Sequence, residues 1–269
     1  MAEAVVSQKR SISECIDHLE GVKVVLLDIE GTTTPITFVK EKLFPYVKEN
    51  VEEYLNTHYD EDECHEDIKV LREQALKDEK EEVEGVVTIP NKDSEKDEII
   101  KKAVENILWQ MSLDRKTTGL KQLQGHIWRH AYKSGNIKSP VYEDVSDAMK
   151  KLTKTDRKVY IYSSGSVEAQ KLIYRYSDQG DLTEYLSGHF DTKIGAKGDK
   201  ESYTKIVEEI DCKPEEALFL TDIPKECKAA LEAGLKACVV IRPGNAELTE
   251  DEKKTYNQIS SFAELFPEK

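Results

Sequence analysis

Apolar and polar positions follow two regimes along this chain. In the first, residues 22–27 form a nearly unbroken apolar run, Val22-Lys23-Val24-Val25-Leu26-Leu27, which stops at Asp28 and leads into Gly31-Thr32-Thr33-Thr34-Pro35. A β-branched run of this length, bounded by turn residues, predicts a strand buried on both faces of a parallel sheet. Three further runs share its form. Val159-Tyr160-Ile161-Tyr162 ends at Ser163-Ser164-Gly165, Ala217-Leu218-Phe219-Leu220 at Thr221-Asp222, and Ala237-Cys238-Val239-Val240-Ile241 at Arg242-Pro243-Gly244. Helical periodicity fills the gaps between the later runs, over 167–176, 202–210 and 225–233, with Gly234 as a stop. Strand, turn and helix in repetition predict an α/β fold built on a doubly wound parallel sheet. The polar residues that end the strands then meet on one sheet edge, where such folds bind ligands.

The second regime runs from Lys42 to about Leu152, where the period is helical and no strand pattern stands out. Phe44, Val47, Val51 and Leu55 make one stripe; Ile100, Val104, Ile107, Leu108 and Met111 make another; Leu120, Leu123, Ile127 and Tyr132 make a third. Residues 81–98, charged and containing Pro90, Asn91 and Ser94, read as a mobile loop between helices. The block is expected to be an all-helical cap, residues 42–139, inserted into a core formed by 20–41 and 140–269, with 1–19 as an N-terminal extension. One more helix is expected over 247–263. No internal repeat is present.

Composition narrows the class. A charged fraction of 34% and a hydrophobic fraction of 38% describe a globular chain with a well-charged surface. The net charge of −14 argues against nonspecific nucleic-acid binding, and it means that a phosphorylated substrate needs a local cation. Cys15, Cys64, Cys212, Cys227 and Cys238 are odd in number and lack CxxC spacing, as expected for reduced thiols. With no signal-like start and no apolar run of spanning length, no membrane partner is expected. The expected location is the cytoplasm, with the nucleus as a second compartment.

The strand ends carry the chemistry. Asp28 ends a buried strand, where its carboxylate can attack a phosphoryl group to give an acyl phosphate. Glu30, two residues on, can protonate the leaving group and then activate water. Asp222 brings a second anionic oxygen near Asp28; the two would repel unless a divalent cation lay between them, and hard oxygen ligands suit Mg²⁺. Glu226 could orient a water near that ion. Ser163, with Ser164-Gly165-Ser166 opening a helix, offers an anion site. Lys197 can neutralise nucleophile and phosphate; Lys200 competes for that role, and motif spacing favours Lys197. Any one of these residues has an ordinary structural explanation. Their order, Asp-x-Glu-Gly-Thr, Ser, Lys, Asp on successive strand ends, is what points to phosphoryl chemistry.

That order resembles the four motifs of the haloacid-dehalogenase-like hydrolases, with Asp28-Ile29-Glu30 replacing the usual Asp-x-Asp. The segments 27–36, 160–167 and 189–195, with Trp109-Gln110-Met111-Ser112-Leu113-Asp114-Arg115-Lys116 and Leu218-Phe219-Leu220-Thr221-Asp222, resemble the enolase-phosphatases E1 of methionine salvage over nearly the whole chain. The resemblance implies the substrate 2,3-diketo-5-methylthiopentyl-1-phosphate, enolised and then dephosphorylated to the acireductone 1,2-dihydroxy-3-keto-5-methylthiopentene, with one Mg²⁺ and a monomeric chain. By the same motifs Asp28, Glu30 and Asp222 bind the metal, Glu30 through side chain or backbone, while Ser163, Ser164 and Lys197 hold the substrate. A phosphatase for another small phosphomonoester is the rival reading; a non-enzymatic binding module would be expected to lack a carboxylate that is present here. His126 and His130, four apart, have no third ligand nearby and read as packing or surface residues. Trp109, Met111 and Trp128 are expected in the core of the cap, while Arg115-Lys116 could reach a phosphate or carbonyl oxygen.

Overall fold

A computed structural model describes residues 18–266, so Cys15 and most of the expected N-terminal extension lie outside the described residues. Six strands form one parallel sheet: β1 Val24–Leu27, β2 Lys158–Tyr162, β3 Gly188–Phe190, β4 Ala217–Thr221, β5 Lys236–Val240 and β6 Asn257–Ile259, in the order β3-β2-β1-β4-β5-β6. β1 sits in the middle, with Leu27 opposite Ile161 of β2 and Leu220 of β4. Alternate residues of β1 enter different cores, as a period of two requires. Val25 and Leu27 pack with Val145 and Met149 of α5 (Glu143–Lys154) and Ile173 of α6 (Val167–Arg175). Val24 and Leu26 pack with Tyr203 and Ile206 of α7 (Lys200–Glu209) and with Cys227 and Ala230 of α8 (Pro224–Glu232). The doubly wound sheet is therefore present, with helices on both faces.

The chain steps outward from β1 through β2 to β3, then crosses to β4 on the other side of β1. The switch opens a crevice at the carboxyl ends of β1 and β4, the place where open α/β sheets bind ligands. Asp28 and Asp222 both stand there.

Between β1 and β2 lie a π-helical turn (Val39–Leu43) and four helices: α1 (Phe44–His58), α2 (Asp62–Lys80), α3 (Lys96–Ser112) and α4 (Thr118–Lys133). Their stripes close one apolar cluster that includes Val47 and Leu55, Ile68 and Leu71, Ile100 and Ile107, and Leu123 and Ile127. Leu108 faces solvent instead, and Ala103 takes the inner position. α5, placed by its period with the helical block, packs on the sheet.

Two expectations need correction. The connection between α2 and α3 is anchored: Ile89 is buried in that apolar cluster, Arg72 Nε donates to the Pro90 carbonyl at 2.5 Å, and Asn106 Nδ2 donates to the Val87 carbonyl at 2.6 Å. The tail is not one helix. A six-residue helix, α9 (Glu250–Thr255), is closed at its start by a Thr249–Glu252 capping box; β6 follows, then a 3-10 turn (Phe262–Leu265). Pairing of Val240 with Ile259 along the edge of β5 overrides the local helical pattern. Cys64, Cys212, Cys227 and Cys238 are free thiols, and among the described residues no helix is long and apolar enough to cross a membrane.

Candidate active site

Asp28 is held where β1 ends. Its N–H donates to the Leu220 carbonyl at 2.9 Å, which extends the ladder by one residue and leaves the side chain beside Thr221. The chain then reverses at Gly31, whose φ of +71° lies in the left-handed region. A Cβ there would stand 2.5 Å from Asp222 Oδ2, so glycine is required by conformation and by space. Thr33 and Thr34 brace the turn by donating their hydroxyls to the Ile29 carbonyl at 3.3 and 3.2 Å.

Lys197 comes to Asp28 from a loop that three hydroxyls pin. Tyr162 donates to the Gly195 carbonyl at 3.0 Å, Ser202 to that of Ala196 at 2.7 Å, and Tyr203 to that of Lys197 at 2.7 Å. The Lys197 ammonium lies 2.6 Å from Asp28 Oδ1 and 2.8 Å from Glu226 Oε2. Burial works against its charge, but Asp28 and Glu226 outweigh burial and hold its pKa above the ordinary lysine value. Lys200, the alternative cation, is exposed at the start of α7. Glu226, read from sequence as a partner for a water near the metal, pairs with Lys197. The Thr221 hydroxyl fixes that carboxylate by donating to Oε2 at 2.7 Å. Neither partnership could be read from spacing, because each crosses between elements.

Asp222 and Glu30 complete an acidic cluster. Burial pushes the Asp222 carboxyl up to about 7, and the Asp28 and Glu226 charges add to it against Lys197. Glu30 is likewise pushed up to about 7, first by burial and then by Asp28, with Lys197 and Lys116 opposing. Asp222 Oδ1 is buried with no hydrogen-bond partner. Such a group is normally satisfied, so a ligand is the natural partner.

The serine loop after β2 forms the other wall. The Ser163 N–H donates to the Phe190 carbonyl at 3.2 Å, and the Ser166 hydroxyl caps α6 by accepting from Ala169 N at 3.3 Å. Gln170, which no motif in the sequence marks, is fully buried. Its amide donates to the Gly165 and Phe190 carbonyls at 2.9 and 2.8 Å, fastening the loop to β3. Above the loop lies a cavity of about 440 Å³, bounded by Glu30, Ser163 and Ser164 on the sheet side and Phe44, Met111 and Trp128 on the helical side. Asp28, Lys197 and Asp222 are not among its lining residues.

Trp128 and Met111 pack with the apolar cluster of the four inserted helices and also face the cavity. Trp109 does not line it; the Arg115 guanidinium stacks on its ring at 4.8 Å. That guanidinium is held bidentately by buried Asp78, at 2.6 and 2.7 Å, so Arg115 is committed and Lys116 is the freer cation. Lys121 reaches from α4 to the Ser164 carbonyl at 3.1 Å. His126 Nδ1 pairs with Asp67 Oδ2 at 2.7 Å, while His130 meets the rings of His58 and Tyr54. Among the described residues no three His, Cys, Asp or Glu side chains are grouped as a ready-made metal cage.

Carboxylates at the switch point of a parallel sheet, a lysine between them and a helical insert after the first strand define a class of hydrolase. The haloacid dehalogenase-like hydrolase model matches residues 22–234. The chain is 54% identical over 250 residues to enolase-phosphatase E1 of Danio rerio, covering 91% of this chain and 95% of that protein. It is 56% identical over 245 residues to enolase-phosphatase E1 of Anopheles gambiae, covering 91% and 82%. Among solved structures, the UTR4 protein of Saccharomyces cerevisiae shares 35% identity and a TM-score of 0.73, over 90% of this chain and 98% of that one. The chain belongs to the enolase-phosphatase E1 family of haloacid dehalogenase-like hydrolases.

Proposed function

We propose that the chain converts 2,3-diketo-5-methylthiopentyl-1-phosphate to 1,2-dihydroxy-3-keto-5-methylthiopentene and phosphate, a step of methionine salvage carried out in the cytoplasm, and in the nucleus as well, by a monomer. The observation that carries this reading is Asp28, fixed by Lys197 at 2.6 Å, with Glu30 rather than aspartate two residues later.

In the phosphatase half, Asp28 attacks phosphorus, the substrate oxygen leaves, and the phosphoryl group rests on the carboxyl as an aspartyl phosphate until water displaces it. Lys197 balances the charge of nucleophile and phosphoryl group. Ser163 and Ser164, with the N–H groups that open α6, bind the phosphate oxygens. Glu30, which lines the cavity beside Ser163 and Ser164, shuttles protons, to the leaving oxygen and from the attacking water. We assign the same carboxylate to the enolisation, where it takes up the proton from the carbon next to the dicarbonyl. Residues 42–139 serve as the cap over the core of 20–41 and 140–269, and their apolar wall of Phe44, Met111 and Trp128 suits a methylthio tail.

The donor set fits one Mg²⁺. Asp28 and Asp222 offer two carboxylates, the Asp222 oxygen has no protein partner, and this ion commonly takes one or two carboxylates with substrate phosphate and water. Glu30 joins them through its carboxylate or its carbonyl. The ion would supply Lewis-acid charge at the phosphate and dicarbonyl oxygens.

The test is a single-turnover assay that follows enol absorbance and phosphate release together, on this substrate and a panel of other phosphomonoesters. Asp28→Asn should lose phosphate release by about 10³-fold or more; normal release would end the aspartyl-phosphate reading. Glu30→Gln should slow enol formation as well, and full enolisation would remove that role. Faster turnover of an unrelated phosphomonoester would overturn the substrate.

A further inference from the structure

Asn245 stands in the turn after β5 and belongs to no sequence motif. Its side-chain amide donates to the Gly31 carbonyl at 2.9 Å and to the Val240 carbonyl at 3.2 Å. Two carbonyls on one side fix the amide's orientation, because the flipped rotamer would set oxygen against oxygen. Oδ1 must then point the other way, and there it is buried with no hydrogen-bond partner. What it faces can be located from Gly31. A Cβ on that residue would lie 2.8 Å from Asn245 Oδ1 and 2.5 Å from Asp222 Oδ2, so both oxygens crowd the same face of Gly31. Asp222 is 8% exposed, and its other oxygen, Oδ1, is also without a partner. Two acceptors held on one face of a glycine repel unless a cation or a hydrogen donor stands near both. Lys197, the nearby cation, is already shared by Asp28 and Glu226.

We propose that Asn245 belongs to the cation site: its amide holds the Gly31 turn in place while its Oδ1 gives the ion's hydration shell a neutral acceptor beside Asp222. The inference rests on the magnesium reading above and adds to it a residue from a fifth strand end. An ion that keeps several waters needs acceptors outside its own ligands, and removal of such an acceptor typically weakens metal affinity by about 10–100-fold.

The test compares wild type, Asn245→Ala and Asn245→Asp by calorimetric titration with Mg²⁺, by Mn²⁺ titration read through its paramagnetic resonance, and by thermal melting without metal. Asn245→Ala should bind either ion at least about 10-fold more weakly. Asn245→Asp separates the two halves of the residue. It loses the donated bonds and adds a buried charge, so it should melt lowest without metal, yet it keeps an oxygen for the ion and should bind more tightly than Asn245→Ala. If only the grip on Gly31 matters, Asn245→Asp will bind no better than Asn245→Ala, and the proposal fails. Affinity in a folded Asn245→Ala equal to wild type also overturns it. If Asn245→Ala does not fold, Asn245→Asp against wild type decides: an affinity reduced about 10-fold or more overturns it, and one retained or raised supports it. No Mg²⁺ binding by wild type would instead remove the magnesium reading, and this proposal with it.

Discussion

Lys197 carries one positive charge into a site that holds four carboxylates, Asp28, Glu30, Asp222 and Glu226. Its ammonium is nearly buried, over the rings of Tyr162 and Phe219 at 6.0 and 5.9 Å. A methionine fills similar volume without charge, so Lys197→Met isolates the electrostatic role. It should cost about 10²–10³-fold in phosphate release, the scale seen when one preorganised stabilising group is removed. Steady-state turnover checks this, and a loss under about tenfold would leave Lys197 with no more than a structural part. Residues of this kind are largely legible in the sequence. Asp28, Ser163, Lys197 and Asp222 each follow a readable strand or loop. Their wiring is not legible there. Thr221, Gln170 and Asn245 act across elements, and nothing in their local sequence separates them from other polar residues.

Elements are legible in proportion to their length and burial. The four- and five-residue central strands announce themselves by composition, whereas β3 and β6 have three residues each and exist because a longer strand lies beside them. β3 nevertheless has a specific task. His189 Nδ1 meets Gln170 Oε1 at 3.2 Å, and the same Gln170 amide holds the serine loop. Burial, with Lys171 adding, pulls the His189 pKa down to about 4 from the ordinary histidine value of 6.5. The folded state thus prefers the neutral ring, and the unfolded chain takes up a proton first as pH falls. Stability from this site is complete above about 6.5 and declines toward 4. Urea unfolding at about pH 7 and about pH 5 should show a smaller loss for His189→Gln than for wild type; equal losses would contradict the assignment.

At the scale of the molecule, the four inserted helices and the sheet have separate apolar clusters joined through α6. Ile173 and Tyr174 of that helix face the sheet, while Ala169 and Leu172 belong to the cluster of the inserted helices. Trp128 lies close to that joint, its indole N–H donating to the Leu43 carbonyl at 2.9 Å. Trp128→Ala removes a large packed side chain and should cost about 3–5 kcal/mol, as aromatic truncations in cores do. Hydrogen exchange should show the loss in α1 and α4 before β1. Uniform loss across the chain would mean that the two clusters unfold as one. The insertion and its stripes can be read from apolar spacing, but this joint cannot: Ala169 and Leu172 look like any inward positions of a sheet-packing helix.

The joint has a practical consequence for anyone who cuts the molecule apart. The four-helix segment resembles a self-contained bundle, and expressing it alone is an obvious shortcut for screening ligands of its apolar wall. Without α6 it would lose the Ala169–Leu172 surface together with the Arg129–Glu168 ion pair at 2.9 Å, leaving an oily face bare to water. Such a fragment should clump, and hits against it would report stickiness rather than affinity.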